Sequence, residues 1–336
     1  MEKKDLTLAD VGEFGLIARV TAGYAASEGV PLGPGDDAAV VAAPDGFVVA
    51  TTDLLVDGRH FRLDWSSAYD VGRKAAAQNL ADIAAMGARP TAILVGLAAP
   101  ADLPVVVAES IAAGLAAECQ ALGCSVVGGD VVRSDALLLA VTALGSLEGR
   151  DPVRRSGAVV GDRVVVAGSL GGAAAGLAAL TAADETAPPD LLSAHRCPSP
   201  PYAAGPMLAA RGASAMIDVS DGFGADLGHL LRASGCGAEV NAGRLPRHAA
   251  LSGPWALAQG EDVRTGWVIS GGEDHALVAT MPSGAVPAAI AALAAVGLGL
   301  SEVGEVVAGG GIRWTGLPPG VPEPGGFDHF RLAESR

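Results

Sequence analysis

Gly35-Asp36-Asp37-Ala38-Ala39-Val40 sets two adjacent carboxylates after Pro34 and just ahead of an apolar run. A turn there delivers two negative charges to the mouth of a strand. Two unit charges about 4 Å apart repel by roughly 4 kcal/mol at an effective dielectric near 20. Further aspartates recur in similar settings, at Asp53, Asp82, Asp130, Asp218 and Asp221. If several of them converge, bound cations are what make the cluster tolerable.

The residues that follow this stretch predict a hairpin. Two β-rich runs, 38–42 and 47–52, flank the turn sequence Ala43-Pro44-Asp45-Gly46. An antiparallel pair returns the chain to the edge it left. Asp36, Asp37 and Asp53 are therefore expected as neighbours.

Composition narrows the function classes. At 336 residues the chain is too long for one typical core, and two domains are expected. Half of it is hydrophobic, aromatics are scarce, and Ala, Val, Leu and Gly dominate, which favours thin α/β layers. The formal charge is −15, from 37 acids against 22 bases, so nucleic acid is not an expected partner. Lys3, Lys4 and Lys74 are the only lysines, and no Gly-Lys pair exists to form a P-loop. Phosphate chemistry must then use metals, arginine and backbone amides. Cys119, Cys124, Cys197 and Cys236 form no Cys-x-x-Cys pair and are expected as reduced, mostly buried thiols. The start leads into no apolar block, and the uncharged stretches 164–180 and 282–300 are broken by Gly or Pro. No membrane span is expected, and the location expected is cytoplasmic.

Along the chain, periodicity predicts helices over 8–20, with Thr7 as N-cap, and over 68–86, stopped by Gly87. The second carries Lys74, Gln78 and Asp82 at spacings of four, with Asn79 beside them, on an otherwise alanine-rich surface. Such a polar stripe on a buried helix wants partners. A strand is expected over 91–98, then a helix from an Asp102 N-cap to 122. A short strand, 125–127, is expected to end in Gly128-Gly129-Asp130, with a buried strand over 137–147. Residues 149–161, with Arg150, Arg154 and Arg155, form the expected boundary between domains 1–149 and 150–336. The second half predicts a strand at 163–167, an alanine helix, a polar connector over 181–201, a helix over 201–211 and a strand over 214–219. That strand ends in Asp218-Val219-Ser220-Asp221-Gly222, ahead of a helix over 223–233 whose amino terminus suits anions. Strands over 266–269 and 276–280 flank Ser270-Gly271-Gly272-Glu273-Asp274-His275. The aromatic tail, Gly325-Gly326-Phe327-Asp328-His329-Phe330, is expected to dock.

Scattered aspartates plus substrate phosphates suit Mg²⁺, which takes oxygen ligands and keeps several waters. Zinc would want His and Cys, which are sparse and badly spaced. A non-P-loop, Mg²⁺-dependent, ATP-using enzyme is the class that survives.

The residues quoted also resemble the thiamine-monophosphate kinase family, of the superfamily that includes aminoimidazole ribonucleotide synthetase and selenophosphate synthetase. The matching pieces are Gly35-Asp36-Asp37, Thr51-Thr52-Asp53, His60-Phe61, the run from Asn79 to Ala88, Gly128-Gly129-Asp130, Arg155-Ser156-Gly157, Asp218-Val219-Ser220-Asp221-Gly222 and Ser270-Gly271-Gly272-Glu273-Asp274. The resemblance implies an α/β (α+β type), two-domain fold of aminoimidazole ribonucleotide synthetase type, with mixed sheets flanked by helices. It implies direct transfer of the ATP γ-phosphoryl group to thiamine monophosphate, without a phosphoenzyme. It further implies metal ligation by Asp36, Thr51, Thr52, Asp53, Asp82, Asp130, Asp218 and Asp221, with Thr51 where the family often has serine. By the same resemblance Gly129, Arg155 and Ser220 contact ATP, and His60, Glu273 and Phe327 contact the thiamine substrate. The resemblance also implies that the N-terminal domain holds ATP and joins a second copy through its sheet, giving a homodimer. One departure falls at His275-Ala276, where the family commonly has Tyr-Glu; these residues are expected to start a strand behind the site.

The alternative is another ATP-dependent enzyme of the superfamily with a different acceptor. Selenophosphate synthesis wants a reactive Cys near the start, and none precedes Cys119. A maturation protein ending in cysteine does not match the tail Ala333-Glu334-Ser335-Arg336.

Overall fold

The computed structural model describes residues 6–25, 27–34, 39–319 and 321. Gly35, Asp36, Asp37 and Phe327 lie outside the described residues, as does the aromatic tail. The chain divides into two compact units. One comprises the chain to Ala84 and Ala88–Arg150; the other comprises Ala85–Gly87 and the chain from Asp151.

The first unit is a four-stranded mixed sheet with helices on one face. Its elements are α1 (Leu8–Thr21), β1 (Val49–Val56), α2 (Ala68–Ala85), β2 (Arg89–Ala99), α3 (Val105–Ala121), β3 (Ser125–Arg133) and β4 (Leu138–Ser146). Strand order is β1-β4-β2-β3, with only β2 and β3 parallel. Thr7 caps α1, as its sequence predicts. α2 and α3 pack backbone to backbone: a Cβ on Gly72 would fall 2.0 Å from the Ile111 carbonyl oxygen, and one on Gly114 2.1 Å from that of Tyr69. Leu55, Ile93, Leu97, Leu139 and Val141 form the buried face of the sheet. On the opposite face Val30, Ala39 and Val41 pack near Ala92 and Leu144, while Leu54, Leu94 and Val132 are 52%, 38% and 50% exposed.

The second unit is a six-stranded mixed sheet with helices on both faces. Its strands are β5 (Arg163–Ala167), β6 (Ala215–Asp218), β7 (Gly237–Asn241), β8 (Leu277–Met281), β9 (Leu300–Val307) and β10 (Gly311–Thr315), in the order β10-β7-β9-β5-β8-β6. Its helices are α4 (Gly172–Thr181), α5 (Pro189–Arg196), α6 (Ala204–Ala209), α7 (Phe223–Ser234), α8 (Pro254–Leu257), α9 (Glu261–Ser270) and α10 (Val286–Ala294). One core gathers Val164, Val166, Leu191, Phe223, Leu227 and Val278. Another, on the other face, gathers Val165, Ala167, Leu208, Met216 and Leu293.

Several elements differ from the sequence expectation. The hairpin over 38–52 does not form among the described residues. Val40 N–H donates to Leu32 O (2.9 Å) and Ala42 N–H to Gly29 O (2.9 Å), so this segment folds back on what precedes it. β1 instead pairs over its whole length with β4, from Val49↔Gly145 to Val56↔Leu138. An eight-residue antiparallel ladder satisfies more backbone groups than a short hairpin does. Asp53 is consequently mid-strand rather than at a hairpin end. α3 is capped at Pro104 rather than Asp102. β3 runs through Gly128-Gly129-Asp130 instead of stopping there. Residues 266–269 are helical, not a strand: Glu261 and Asp262 favour a helix start, and Thr265, Val268 and Ile269 bury one helical stripe. The connector over 181–201 holds α5, opened by Pro189 in its first turn, and the helix expected over 201–211 shortens to α6. All four cysteines are thiols outside any disulfide, and Cys119, Cys124 and Cys236 are buried. No helix among the described residues is long and apolar enough to cross a membrane.

Candidate active site

In the first unit the predicted residues gather where β1 meets α2. Alternation along β1 puts Thr51 and Asp53 on the helix-covered face. The Thr51 hydroxyl donates to Asp82 Oδ2 at 2.8 Å, and Asp53 N–H donates to Asn79 Oδ1 at 3.0 Å. Asn79 is fixed in turn by its amide, which donates to Ala75 O at 2.9 Å. The polar stripe of α2 thus finds its partners on β1, and every group in the strip offers oxygen. Thr52 faces the other way, where its hydroxyl donates to Val141 O (3.0 Å) and accepts from Thr142 Oγ1 (3.1 Å).

His60 lies in the loop after β1. Its Nδ1 accepts the Val56 N–H at 3.1 Å, which leaves Nε2 to carry the proton of the neutral ring. Beneath it Lys74, 1% exposed, donates to His60 O at 2.9 Å. That lysine is a strut for the loop.

Asp130 is placed by a bulge. Ile93 pairs with Val126, but Leu94 pairs with Gly128, so Val127 is one residue more than β2 needs. An extra residue reverses the alternation downstream. Gly96 then pairs with Asp130, and Asp130 takes the face opposite the helices. Gly129 permits the crossing, because a Cβ there would fall 1.8 Å from Val95 O. Asp53 and Asp130 therefore occupy opposite edge strands and opposite faces of one sheet. Three strand spacings separate them by about 14 Å.

In the second unit the loop after β6 runs beside the loop before β8. Val219 N–H donates to Ala276 O (2.8 Å), His275 N–H to Val219 O (2.9 Å) and Glu273 N–H to Ser220 O (2.8 Å). This extends the β6–β8 ladder and groups Asp218, Ser220 and Asp221 with Glu273. The glycines are steric necessities: a Cβ on Gly222 would meet Ser270 backbone at 2.8 Å, and one on Gly272 would meet Ser220 O at 2.5 Å. His275 is buried with Nδ1 3.3 Å from Asp218 Oδ2. Ala276 is also buried, directly ahead of β8.

Two residues at this site escaped the sequence reading. Asp226 accepts the Asp221 N–H at 3.0 Å from inside α7. Burial pushes its carboxyl up to about 7, the Asp221 amide pulls against that, and the charges of Asp218 and Asp221 add to the rise. Its signal was an acid three residues after Phe223, on the stripe shared with Leu227 and Leu230. His195 on α5 is the other, with Nδ1 3.2 Å from Glu273 Oε2. Its signal was weaker, since the connector reading hid the helix.

Arg155 stands apart from the Asp218–Asp221 loop. Its carbonyl accepts from Ser234 Oγ at 3.0 Å, at the far end of α7, a helix about 18 Å long. Its charge nevertheless reaches His229 midway, where burial, Arg232 and Arg155 lower the imidazole and Asp221 raises it. Asp274 is structural. Its carboxylate accepts from Gly171 N–H (2.6 Å) and Ala173 N–H (2.9 Å) and so caps α4. Burial still pushes it up to about 6.

Among the described residues no three His, Cys, Asp or Glu side chains stand close enough to hold a metal ion by themselves. The donor chemistry does fit a hard cation. Thr51, Asp53, Asn79 and Asp82 present oxygens, and in the second unit the charges of Asp218 and Asp221 reach Asp226, with His275 3.3 Å from Asp218.

Comparison with known proteins adds identity to this geometry. The family model of AIR synthase related protein, N-terminal domain, matches residues 35–147, and that of the C-terminal domain matches residues 159–315. A thiamine-monophosphate kinase of Mycobacterium tuberculosis is 46% identical over 316 residues, covering 92% of this chain and 91% of that one. The Salmonella typhimurium thiamine-monophosphate kinase is 36% identical, covering 95% and 98%. The crystal structure of thiamine-monophosphate kinase from Stenotrophomonas maltophilia is similar at a TM-score of 0.79 and 32% identity, over 90% of this chain and 94% of that one. AaThiL complexed with AMPPCP and TMP is similar at 0.75 and 30%, over 98% and 100%. Escherichia coli HypE, a hydrogenase maturation protein, shares the fold at a TM-score of 0.71 and 21% identity, over 90% and 93%.

Proposed function

The chain belongs to the thiamine-monophosphate kinase family of AIR synthase related proteins, and from that premise we propose how it works: direct, in-line transfer of the γ-phosphoryl group of ATP to thiamine monophosphate, assisted by Mg²⁺. The observation that carries the reading is the strip of oxygen donors where Thr51 and Asp53 meet Asn79 and Asp82. A structure related at 30% identity over nearly the whole chain holds AMPPCP, an ATP analogue, together with TMP.

Phosphoryl transfer asks for positioning and charge neutralisation more than for a strong base. When bound, Mg²⁺ would supply that neutralisation at the phosphate groups. We assign its ligands to Asp36, Thr51, Thr52, Asp53, Asp82 and Asp130 in the first unit, and to Asp218 and Asp221 in the second. Gly129, Ser220 and Arg155 face ATP in this reading, and His60, Glu273 and Phe327 face the acceptor. In this reading residues 1–149 form the ATP- and Mg²⁺-binding and dimerisation domain, and residues 150–336 contribute Arg155, Asp218, Ser220, Asp221 and Glu273. Thr51 restrains Asp82, and Asn79 fixes the Asp53 backbone, so the chain holds these oxygens before substrate arrives. Lys74 keeps the His60 loop in place without doing chemistry.

Magnesium ligands lie about 2.1 Å from the ion. Asp53 and Asp130, about 14 Å apart across the sheet, therefore do not share an ion within one protomer. We propose a homodimer joined through the sheet face that bears Leu54, Leu94 and Val132. The setting is cytoplasmic, with ATP at hand.

The test measures ADP release with thiamine monophosphate and, in parallel, with aminoimidazole-pathway substrates. Turnover is expected with the first alone; turnover with the second alone sinks the acceptor. Asp53→Asn and Asp130→Asn should each abolish turnover with circular dichroism unchanged. Near-normal activity in both removes the metal assignment.

A further inference from the structure

Glu273 and Asp274, neighbours in sequence, are gripped by the same end of one helical hairpin. α4 and α5 run antiparallel: Gly172 stands beside Ala194, and Gly176 beside Leu191. A Cβ on Gly176 would fall 2.0 Å from Leu191 O, so the two helices meet through bare backbone. The start of α4 and the end of α5 therefore share one end of the hairpin. There the α4 amides of Gly171 and Ala173 hold Asp274, at 2.6 and 2.9 Å. From α5, His195 brings Nδ1 to 3.2 Å from Glu273 Oε2.

His195 is 5% exposed, and its Nδ1 makes no aligned hydrogen bond among the described residues, its approach to Glu273 Oε2 at 3.2 Å included. A buried imidazole N–H wants an acceptor, and Glu273 is the carboxylate within reach. The Glu273 side chain is 31% exposed, so one edge is covered and the rest faces outward. Its backbone is fixed as well, with φ at 65° and its N–H donated to Ser220 O at 2.8 Å.

We propose that His195 is a positioning residue for Glu273, aiming that carboxylate at a cationic heteroaromatic acceptor. The inference rests on the reading of Glu273 as acceptor-facing and adds the group that orients it. A thiazolium ring carries fixed positive charge, which a partly exposed carboxylate attracts. An unbraced glutamate would sample several rotamers and lose binding entropy on each encounter. The bracing acts on acceptor affinity rather than on the chemical step. Asp274 and the Gly176 contact set where the bracing histidine stands.

The experiment uses the full chain with His195→Leu, His195→Asn, Glu273→Gln and the double variant His195→Leu/Glu273→Gln. Loss of a hydrogen bond to a charged group corresponds to about tenfold in affinity. His195→Leu should raise KM for thiamine monophosphate about tenfold, with kcat and KM for ATP within about twofold. His195→Asn, whose amide nitrogen reaches near the Nδ1 position, should restore most of the loss. In the Glu273→Gln background, His195→Leu should add little. A purely structural role predicts loss of kcat and of both KM values, no rescue by Asn, and equal effects in both backgrounds; any of these overturns the proposal. Urea unfolding of the same four proteins reads the contact without activity. Non-additive effects on the unfolding constant are expected, by about fivefold or more, and additivity overturns the contact. Absence of wild-type turnover with thiamine monophosphate would remove the acceptor reading alone, and the unfolding cycle would then decide His195 by itself.

Discussion

Asp274 stands in sequence as the second half of an acidic pair, yet it and Glu273 have opposite fates. Asp274 is buried and turns both oxygens to the amides that open α4. Burial outweighs those amides and pushes its carboxyl up to about 6. A raised carboxyl pKa means that the folded state binds the proton more tightly than the unfolded chain does. Its stability contribution is full below the ordinary value near 3.8 and is lost as pH rises through about 6. Asp274→Asn removes the titration but leaves an amide facing a backbone N–H. The variant should be less stable than wild type at pH 4, and the gap should narrow by pH 7; urea midpoints across that range check it. A constant gap would mean that Asp274 does not titrate there. Residue chemistry was legible where spacing alone exposed it, as with Lys74, Gln78, Asn79 and Asp82 on one helix stripe. It was not legible for Asp226 and His195, whose partners, Asp221 and Glu273, are set by loop geometry rather than by period.

Elements with a strong period and clear punctuation were readable: α2 stops ahead of Gly87, and β5 spans Arg163–Ala167 as expected. Those decided by competition between neighbours were not. The run Trp267-Val268-Ile269 favours a strand locally, but the acids of the preceding turn and the buried stripe make it helix. The hairpin failed for a related reason, since β4 offered β1 a longer partner than any local one. The α2–α3 contact gives an element-level prediction. Ala in place of Gly114 gains about 1 kcal/mol of helix propensity. Its Cβ would collide with the Tyr69 carbonyl, and overpacking costs about 1–3 kcal/mol. Because that contact is backbone on backbone, the clash should win. Gly114→Ala is expected to lower stability by about 1–2 kcal/mol in urea unfolding, with the Arg73–Glu118 ion pair between the same helices weakened alongside. A gain in stability would show that the helices can separate without loss.

At the scale of the molecule, an acidic chain of formal charge −15 leaves Leu54, Leu94 and Val132 exposed on one sheet face of its first unit. Exposed apolar surface of that kind marks an interaction site. If it joins two copies, Leu54→Lys should shift the protein to the sedimentation coefficient of a monomer and lower turnover with it. An unchanged dimer would move the interface elsewhere. Two-domain organisation could be seen from length and from the arginine-bearing linker. The exposed apolar positions could not, because the alternation of β3 changes partway along the strand. That change has a consequence for descent. One residue, Val127, decides which side of the sheet receives Asp130. A relative that kept Gly-Gly-Asp but lost a single codon ahead of it would align almost without penalty and still present its aspartate to the helices. Inheritance of the Asp130 placement therefore depends on strand phase, a whole-number property that substitution scores do not register.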